Sequence, residues 1–510
     1  MSIRVIPASV SPRDEGAPVI NGPDIYGASA GKPFLYTIPT TGQRPFKFEI
    51  DGLPEGLKLD SSNGRITGVA EKDGDFDVLI KVENNHGKVE KEFRISIGRG
   101  LALTPPMGWN SWNAWRMWVD DRKMRDAADC LVQKGLASRG YAYVNIDSCW
   151  QGKRDGKFNA IQPNSKFPDM KGLSDYIHSL GLKMGIYSSP WTAPFGCHKG
   201  DPYKYWGGPD LIGCSSGEPD PEYPNSRAGS GMYIGINKHE AGDVSQWVEW
   251  NIDFLKYDWT PNDPKTLERM GKLLKESPRD FVLCMCLEAR LENVDAYKKW
   301  AHMWRGVPDT RDNWLSVIKN AFLCEDWFQE DWRPHIGPGG WHDLDMFSLG
   351  PQFHTKDSSR PNRLTQDEQI ACMTAWALYP SPLILSCDLR EVNDFEMRLF
   401  SNEEVISVNQ DRLGKPAVRF HDERLQEMSF GKPCRNMRIW FRELADGNLA
   451  AGFFNLSEEE DEISMDLKKL GVKKSATVRN LWEKRDLGKA GNIFSIQVPA
   501  HGAQLIKIKK

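Results

Sequence analysis

The sequence predicts a multidomain chain: a β-sandwich over residues 1–98, a (β/α)8 barrel over 99–412 and an antiparallel β-sandwich over 413–510. Three observations point there. Both ends alternate apolar and polar residues with a period of two, which buries one face of each strand. The middle changes texture, with apolar strand-like runs separated by helical patterns. That middle part also holds eight strand candidates, the number a closed parallel barrel requires. A chain of 510 residues is long enough for several such cores.

In the first unit the strands are "FLYTI", "FKFEI", "FDVLIKVE" and "VEKEFRISI", with turn signals at "SSNG" and "NNHG". The stretch "GLPEGLKLDSSNGRITG" resembles the immunoglobulin- or cadherin-like modules attached to many bacterial surface and secreted enzymes. That resemblance implies a spacer or a contact with glycan, cell surface or a neighbouring domain.

The barrel strands are "MGWNS", "YAYVNID", "LKMGIYS", "IDFLKYD", "FVLCMCL", "HMWRGVP", "GGWHDLDM" and "PLILSCD". Between them, "KGLSDYIHSLG" sets Leu173, Tyr176, Ile177 and Leu180 on one helical face and stops at Gly181. "DPKTLERMGKLL" begins with Asp263 as N-cap and Pro264 in the first turn. An open doubly wound sheet is the weaker reading, since no glycine-rich phosphate loop follows any strand. Residues 195–242, rich in Gly, Pro, Asp and Tyr, interrupt the pattern as a long insertion. From about 415 the runs "MRIWFREL", "NLAAGFFNL", "ATVRNLW", "IFSIQVPA" and "AQLIKIK" restore two-residue alternation.

A net charge of −4 without any basic run argues against nucleic acid and anionic membrane surfaces. No apolar stretch is long enough to insert across a bilayer. "MSIRVIPASV" lacks the apolar centre of a signal peptide, so the chain is either cytoplasmic or numbered after a signal was removed. Ten cysteines without paired CxxC spacing fit neither a disulfide scaffold nor a zinc site, and no metal or cofactor is expected.

Chemistry in such a barrel gathers where the strands end. Read in order, those ends carry Trp109, Asp147, Tyr187, Asp258, Glu288, Asp309 and Asp345. A single strand-end aspartate is most often a cap or turn residue. Several around one mouth suggest paired carboxylates for glycosidic bond cleavage. In "FLKYD", Lys256 shares a face with Asp258 and is expected to favour its anion, although a structural ion pair is the alternative. In "WRGVPDTRDNW", Arg305 and Asp309 share a face if the strand continues to Asp309, with Asp312 and Asn313 capping the next helix. Metal-assisted hydrolysis competes for such carboxylates but finds only His342 beside them.

The blocks "LALTPPMGWNSWNAW", "YVNIDSCW", "GLKMGIY", "FLKYD", "WRGVPDTRDNW", "GGWHDLDM" and "SNEEVISVNQDRLGKP" resemble, in order, those of glycoside hydrolase family 27, the α-galactosidase and α-N-acetylgalactosaminidase family. "RNLWEKRDLGKAGNIFSIQVPAHGAQLIKI" is similar to the family's C-terminal sandwich. The resemblance implies retaining hydrolysis of a terminal glycoside in an oligosaccharide or polysaccharide, with Asp258 as nucleophile and Asp309 as general acid/base. It places Trp109, Asp147, Tyr187, Lys256, Glu288, Arg305 and Asp345 around the sugar. Ser148 stands where the family usually has a second aspartate, which opens β-L-arabinopyranosides or other α-glycosides as alternatives to α-galactosides. A carbohydrate-binding protein without turnover is the remote alternative. The insertion is expected to supply a replacement acceptor, such as Asp201 or Asp210. The family's cysteine after "KYD" is missing here, which leaves Cys197 without its partner and makes Cys214 the candidate mate. With the immunoglobulin-like module, that bridge points to a periplasmic or secreted enzyme.

Overall fold

The computed structural model describes residues 15–195, 212–223, 232–322, 331–420, 437–472 and 476–509. Its centre is an eight-stranded parallel barrel. We number the strands β1 Met107–Asn110, β2 Tyr143–Asn145, β3 Lys183–Ser188, β4 Phe254–Asp258, β5 Val282–Cys286, β6 Met303–Arg305, β7 Trp341–Asp343 and β8 Leu383–Leu385. Neighbours pair in chain order from β1 to β7, and β8 pairs with β1. A parallel bridge between Phe347 and Leu385 closes the ring, with Phe347 N–H donating to Ile384 O at 2.8 Å. All eight expected strands are present.

Residues in these strands are apolar on both faces because helices cover the outside while side chains fill the inside. β5, for example, is buried at every position. Gly185 in β3 is required by close approach, since a Cβ there would lie 1.9 Å from Asn145 Oδ1. Helix α1, Met170–Ser179, ends before Gly181 at φ +79°. Helix α2, Pro264–Glu276, is capped by Asp263, whose carboxylate accepts from Thr266 N–H at 2.7 Å. Helix α3, Gln366–Leu378, is buried from Glu368 onward because the barrel lies on one side and the C-terminal sheet on the other.

The N-terminal unit packs a four-stranded sheet (25–28, 87–97, 74–84, 47–51) on a three-stranded one (33–37, 65–69, 57–60) around its own core. It sits on the barrel face from which the strands start. Thr37 Oγ1 donates to Gly181 O at 2.8 Å, Ser29 N–H to Asp280 Oδ2 at 2.8 Å, and Lys183, the first residue of β3, to the Tyr26 hydroxyl. The C-terminal unit is a six-stranded antiparallel sheet with a two-stranded partner, Asp461–Asp466 and Ile493–Val498. Its residues Trp440, Phe454 and Leu505 belong to the same apolar core as the barrel. Among the described residues, no helix is long and apolar enough to cross a membrane.

Candidate active site

β4 carries Asp258 to the barrel mouth as its last residue, 7% exposed. The Tyr187 hydroxyl, from β3, donates to Asp258 Oδ2 at 3.0 Å, while Oδ1 has no hydrogen-bond partner. Burial pushes the Asp258 carboxyl up to about 6, against the opposing pull of Lys256 and Arg305. Lys256 does pull the Asp258 carboxyl down, as expected, but burial outweighs it and the net shift is upward. The Lys256 ammonium bonds Asp147 Oδ2 at 2.8 Å and leaves the desolvation of Asp258 largely uncompensated.

Asp147 lies just past β2 and is itself buried. Besides Lys256 it accepts from Asn110 Nδ2 at 3.0 Å and, through Oδ1, from Ser148 N–H at 2.8 Å. Ser148 is buried beside it with no partner for its hydroxyl. A neutral hydroxyl stands there, with one hydrogen to give and lone pairs to offer.

Across the mouth, β6 stops at Arg305 and does not reach Asp309. Pro308 has no N–H to pair in the sheet, so the chain turns out before Asp309. The Arg305 guanidinium forks between two carboxylates, Asp309 Oδ1 and Asp345 Oδ1, each at 2.8 Å. Desolvation raises the Asp309 carboxyl, but Arg305 and Lys256 outweigh it and hold the group below the usual carboxylate range. Its side chain is 69% exposed, whereas Arg305 and Asp345 are buried. Asp345 is left-handed at φ 76° and takes Thr310 N–H on Oδ2 at 2.7 Å. Cys149, Leu287 and Glu288 are also left-handed, all on loops that follow barrel strands. Strained non-glycine backbone thus collects around the mouth.

Two other expected residues stand apart from this cluster. Glu288 is exposed on the loop after β5, where its carboxylate takes the Thr260 hydroxyl. Trp109 is corrected: at 0% exposure, with its indole N–H on Cys387 O at 2.7 Å, it is barrel core and offers no face to a sugar. Trp112, three residues on at the start of the helical turn Trp112–Trp115, is half-buried. The structure adds Cys286, the last residue of β5, which sits opposite Asp258 in register. It also adds Asp343 at the end of β7, whose carboxyl is pushed up to about 7 by burial and by neighbouring Asp345. The signal for both was the true strand end, two residues before the acid chosen from the sequence.

The expected Cys197–Cys214 bridge involves a residue outside the described ones. Cys214 is a free, buried thiol 3.0 Å from Ser188 Oγ, and Cys197 lies outside the described residues, as do Asp201 and Asp210. The described remainder of the insertion is a hairpin pairing Ser215–Pro219 with Gly235–Lys238.

A closed barrel with carboxylates and a forked arginine at its mouth, between two β-sandwiches, defines a glycoside hydrolase. Sequence comparison narrows this. The family described as "Alpha galactosidase A" matches residues 104–206 and 226–411, "Alpha galactosidase C-terminal beta sandwich domain" matches 435–508, and "Putative Ig domain" matches 17–98. The chain belongs to the alpha-galactosidase family, glycoside hydrolase family 27. It is 30% identical to the alpha-galactosidase of Cyamopsis tetragonoloba over 415 residues, 80% of this chain and 86% of that one. A crystal structure from Bacteroides fragilis, described as a "putative alpha-galactosidase", has 28% identity and a TM-score of 0.80 over 97% of this chain and 98% of that one. A family 27 β-L-arabinopyranosidase from Geobacillus stearothermophilus has 25% identity and a TM-score of 0.65 over 80% of this chain and 98% of that one.

Proposed function

We propose that the chain is a retaining exo-α-galactosidase in which Asp258 attacks the anomeric carbon and Asp309 serves as general acid and then base. The observation that carries this reading is the state of Asp258: Tyr187 holds Oδ2, and Oδ1 is left unpaired at the end of β4. In the first step Oδ1 bonds to the anomeric carbon while the Asp309 proton goes to the leaving oxygen. In the second, Asp309 takes a proton from water, whose oxygen replaces Asp258 on the sugar. Arg305 steadies the anionic form of Asp309 between the two steps. Asp147, Lys256 and Asp345 supply the charged partners for sugar hydroxyls.

A second reading, hydrolysis of β-L-arabinopyranosides, is favoured by the unpartnered Ser148 hydroxyl and by the Geobacillus relative. That sugar matches galactose without the hydroxymethyl group. Nitrophenyl α-galactoside, α-N-acetylgalactosaminide, α-glucoside and β-L-arabinopyranoside measured side by side decide between the readings. The galactoside is expected to be turned over fastest. A preference for the arabinopyranoside that Ser148→Asp reverses establishes the second reading, and turnover of none of them leaves only sugar binding.

We place the enzyme in the periplasm or outside the cell, on the support of the immunoglobulin-like module. The module docks on the barrel face opposite the strand ends. A glycan or cell-surface contact made through it therefore leaves the mouth open to an oligosaccharide. Cell fractionation checks the compartment, with activity in the periplasmic or external fraction expected.

A further inference from the structure

We infer that Asn320 is a positioning residue for the general acid Asp309, an inference that rests on the mechanism proposed above. Asn320 lies in a π-helical segment described over Ile318–Phe322 and is 1% exposed. Wide turns of this kind commonly occur at functional sites, because they rotate one side chain out of the α-helical series. Here the rotated side chain reaches back under the loop between β6 and the next helix. The amide nitrogen donates to Pro308 O and to Thr310 Oγ1, both at 2.9 Å, with Leu344 O further off at 3.4 Å. It thus grips the residues on either side of Asp309. Those two bonds use both hydrogens of the amide, and all three neighbours are acceptors, so the nitrogen must face the loop; Oδ1 has no partner.

This grip matters because Asp309 has little else to fix it. Its side chain is largely exposed, and its one strong contact, with Arg305, stabilises the anion and not the acid. Direction toward the leaving oxygen must therefore come from the backbone. Thr310 is the anchor: N–H to Asp345, O from Ser348 Oγ at 2.8 Å, and Oγ1 from Asn320. A proton donor displaced by about 1 Å loses of the order of a hundredfold in rate. Deletion of Asn320 takes the donor from the buried Thr310 Oγ1 and from Pro308 O, and frees the loop that carries the acid.

The test separates positioning from general damage by leaving-group dependence. A 2,4-dinitrophenyl galactoside needs no protonation, whereas an alkyl galactoside does. In Asn320→Ala, kcat/KM for the alkyl galactoside is expected to fall about 10- to 100-fold, with less than about 3-fold loss on the dinitrophenyl substrate for galactosylation. Thr310→Val, which removes the Oγ1 acceptor along with the hydroxyl's weaker bond to Leu344 O at 3.3 Å, is expected to give the same selective pattern at smaller size and decides the matter if Asn320→Ala does not fold. Equal losses on both substrates, or no loss on either, overturn the inference. Asp309→Ala serves as reference: if it too lacks leaving-group dependence, the assignment of Asp309 fails. If only the Asn320 and Thr310 variants lack it, the positioning role alone fails.

Discussion

The site works against the ordinary stability of its own residues, and Asp258 is where this is most measurable. Its carboxyl is held at about 6 in the fold against 3.8 for a free side chain, so the native state binds the proton more tightly than the unfolded chain does. The associated stability is full below 3.8 and is lost as pH rises through about 6, roughly 3 kcal/mol in all. Asp258→Asn, which keeps an acceptor for Tyr187, is expected to abolish turnover of unactivated substrates by several orders of magnitude. It should also raise the melting temperature at pH 7 but not at pH 4, which calorimetry at both pH values will check. The two carboxylates also set the pH profile. Asp258 must be ionised and Asp309 protonated, while the free enzyme prefers the reverse, so the pair titrates as a unit. For an alkyl galactoside, kcat/KM should fall on the alkaline side with a midpoint near 6, as the shared proton is lost. For a dinitrophenyl substrate, which needs only the Asp258 anion, kcat/KM should instead rise through about 6 and level off.

At the scale of elements, the sequence made the barrel strands and the caps legible because both follow local rules. Apolar runs marked all eight strands, and Asp263 followed by Pro264 marked the start of α2. Strand ends were less legible. β6 stops three residues before Pro308 and β5 stops at Cys286, so Asp309 and Glu288 lie on loops whose paths depend on distant partners such as Asp345 and Thr260. Trp109 was misread because alternation along β1 does not reveal which indole the closing strand β8 will cover. The partner of Lys256 was hidden too, since strand alternation pairs it with Asp258 while the end of β2, two strands away, supplies Asp147. The forked Arg305 is the clearest product of such convergence. Arg305→Lys keeps the charge but cannot hold Asp309 and Asp345 together. It is expected to lower kcat/KM by about 10- to 100-fold, the worth of about one charge-assisted hydrogen bond, with the fold intact by circular dichroism.

The whole molecule divides its tasks between the two faces of the barrel. The C-terminal sheet shares the barrel's core and buries α3, so the two should unfold together. The N-terminal module has a core of its own and meets the barrel through polar contacts from Thr37, Ser29 and Tyr26. Removal of residues 1–98 is expected to lower the melting temperature by exposing the barrel face it covers, while kcat/KM on a nitrophenyl galactoside changes less than about 2-fold, because no described residue of the module reaches the mouth. A drop of more than about 10-fold in the folded, truncated enzyme would show that the module acts on catalysis.

The central claim, that Asp258 Oδ1 bonds to the sugar, is tested most directly by trapping. A 2-deoxy-2-fluoro galactosyl donor with a good leaving group forms the covalent intermediate but slows its hydrolysis. Peptide mapping by mass spectrometry is expected to find the fluorosugar on Asp258, one equivalent per chain, and the label should be absent in Asp258→Asn. A label on another residue, or no label alongside an inverted first product by NMR, would contradict the account.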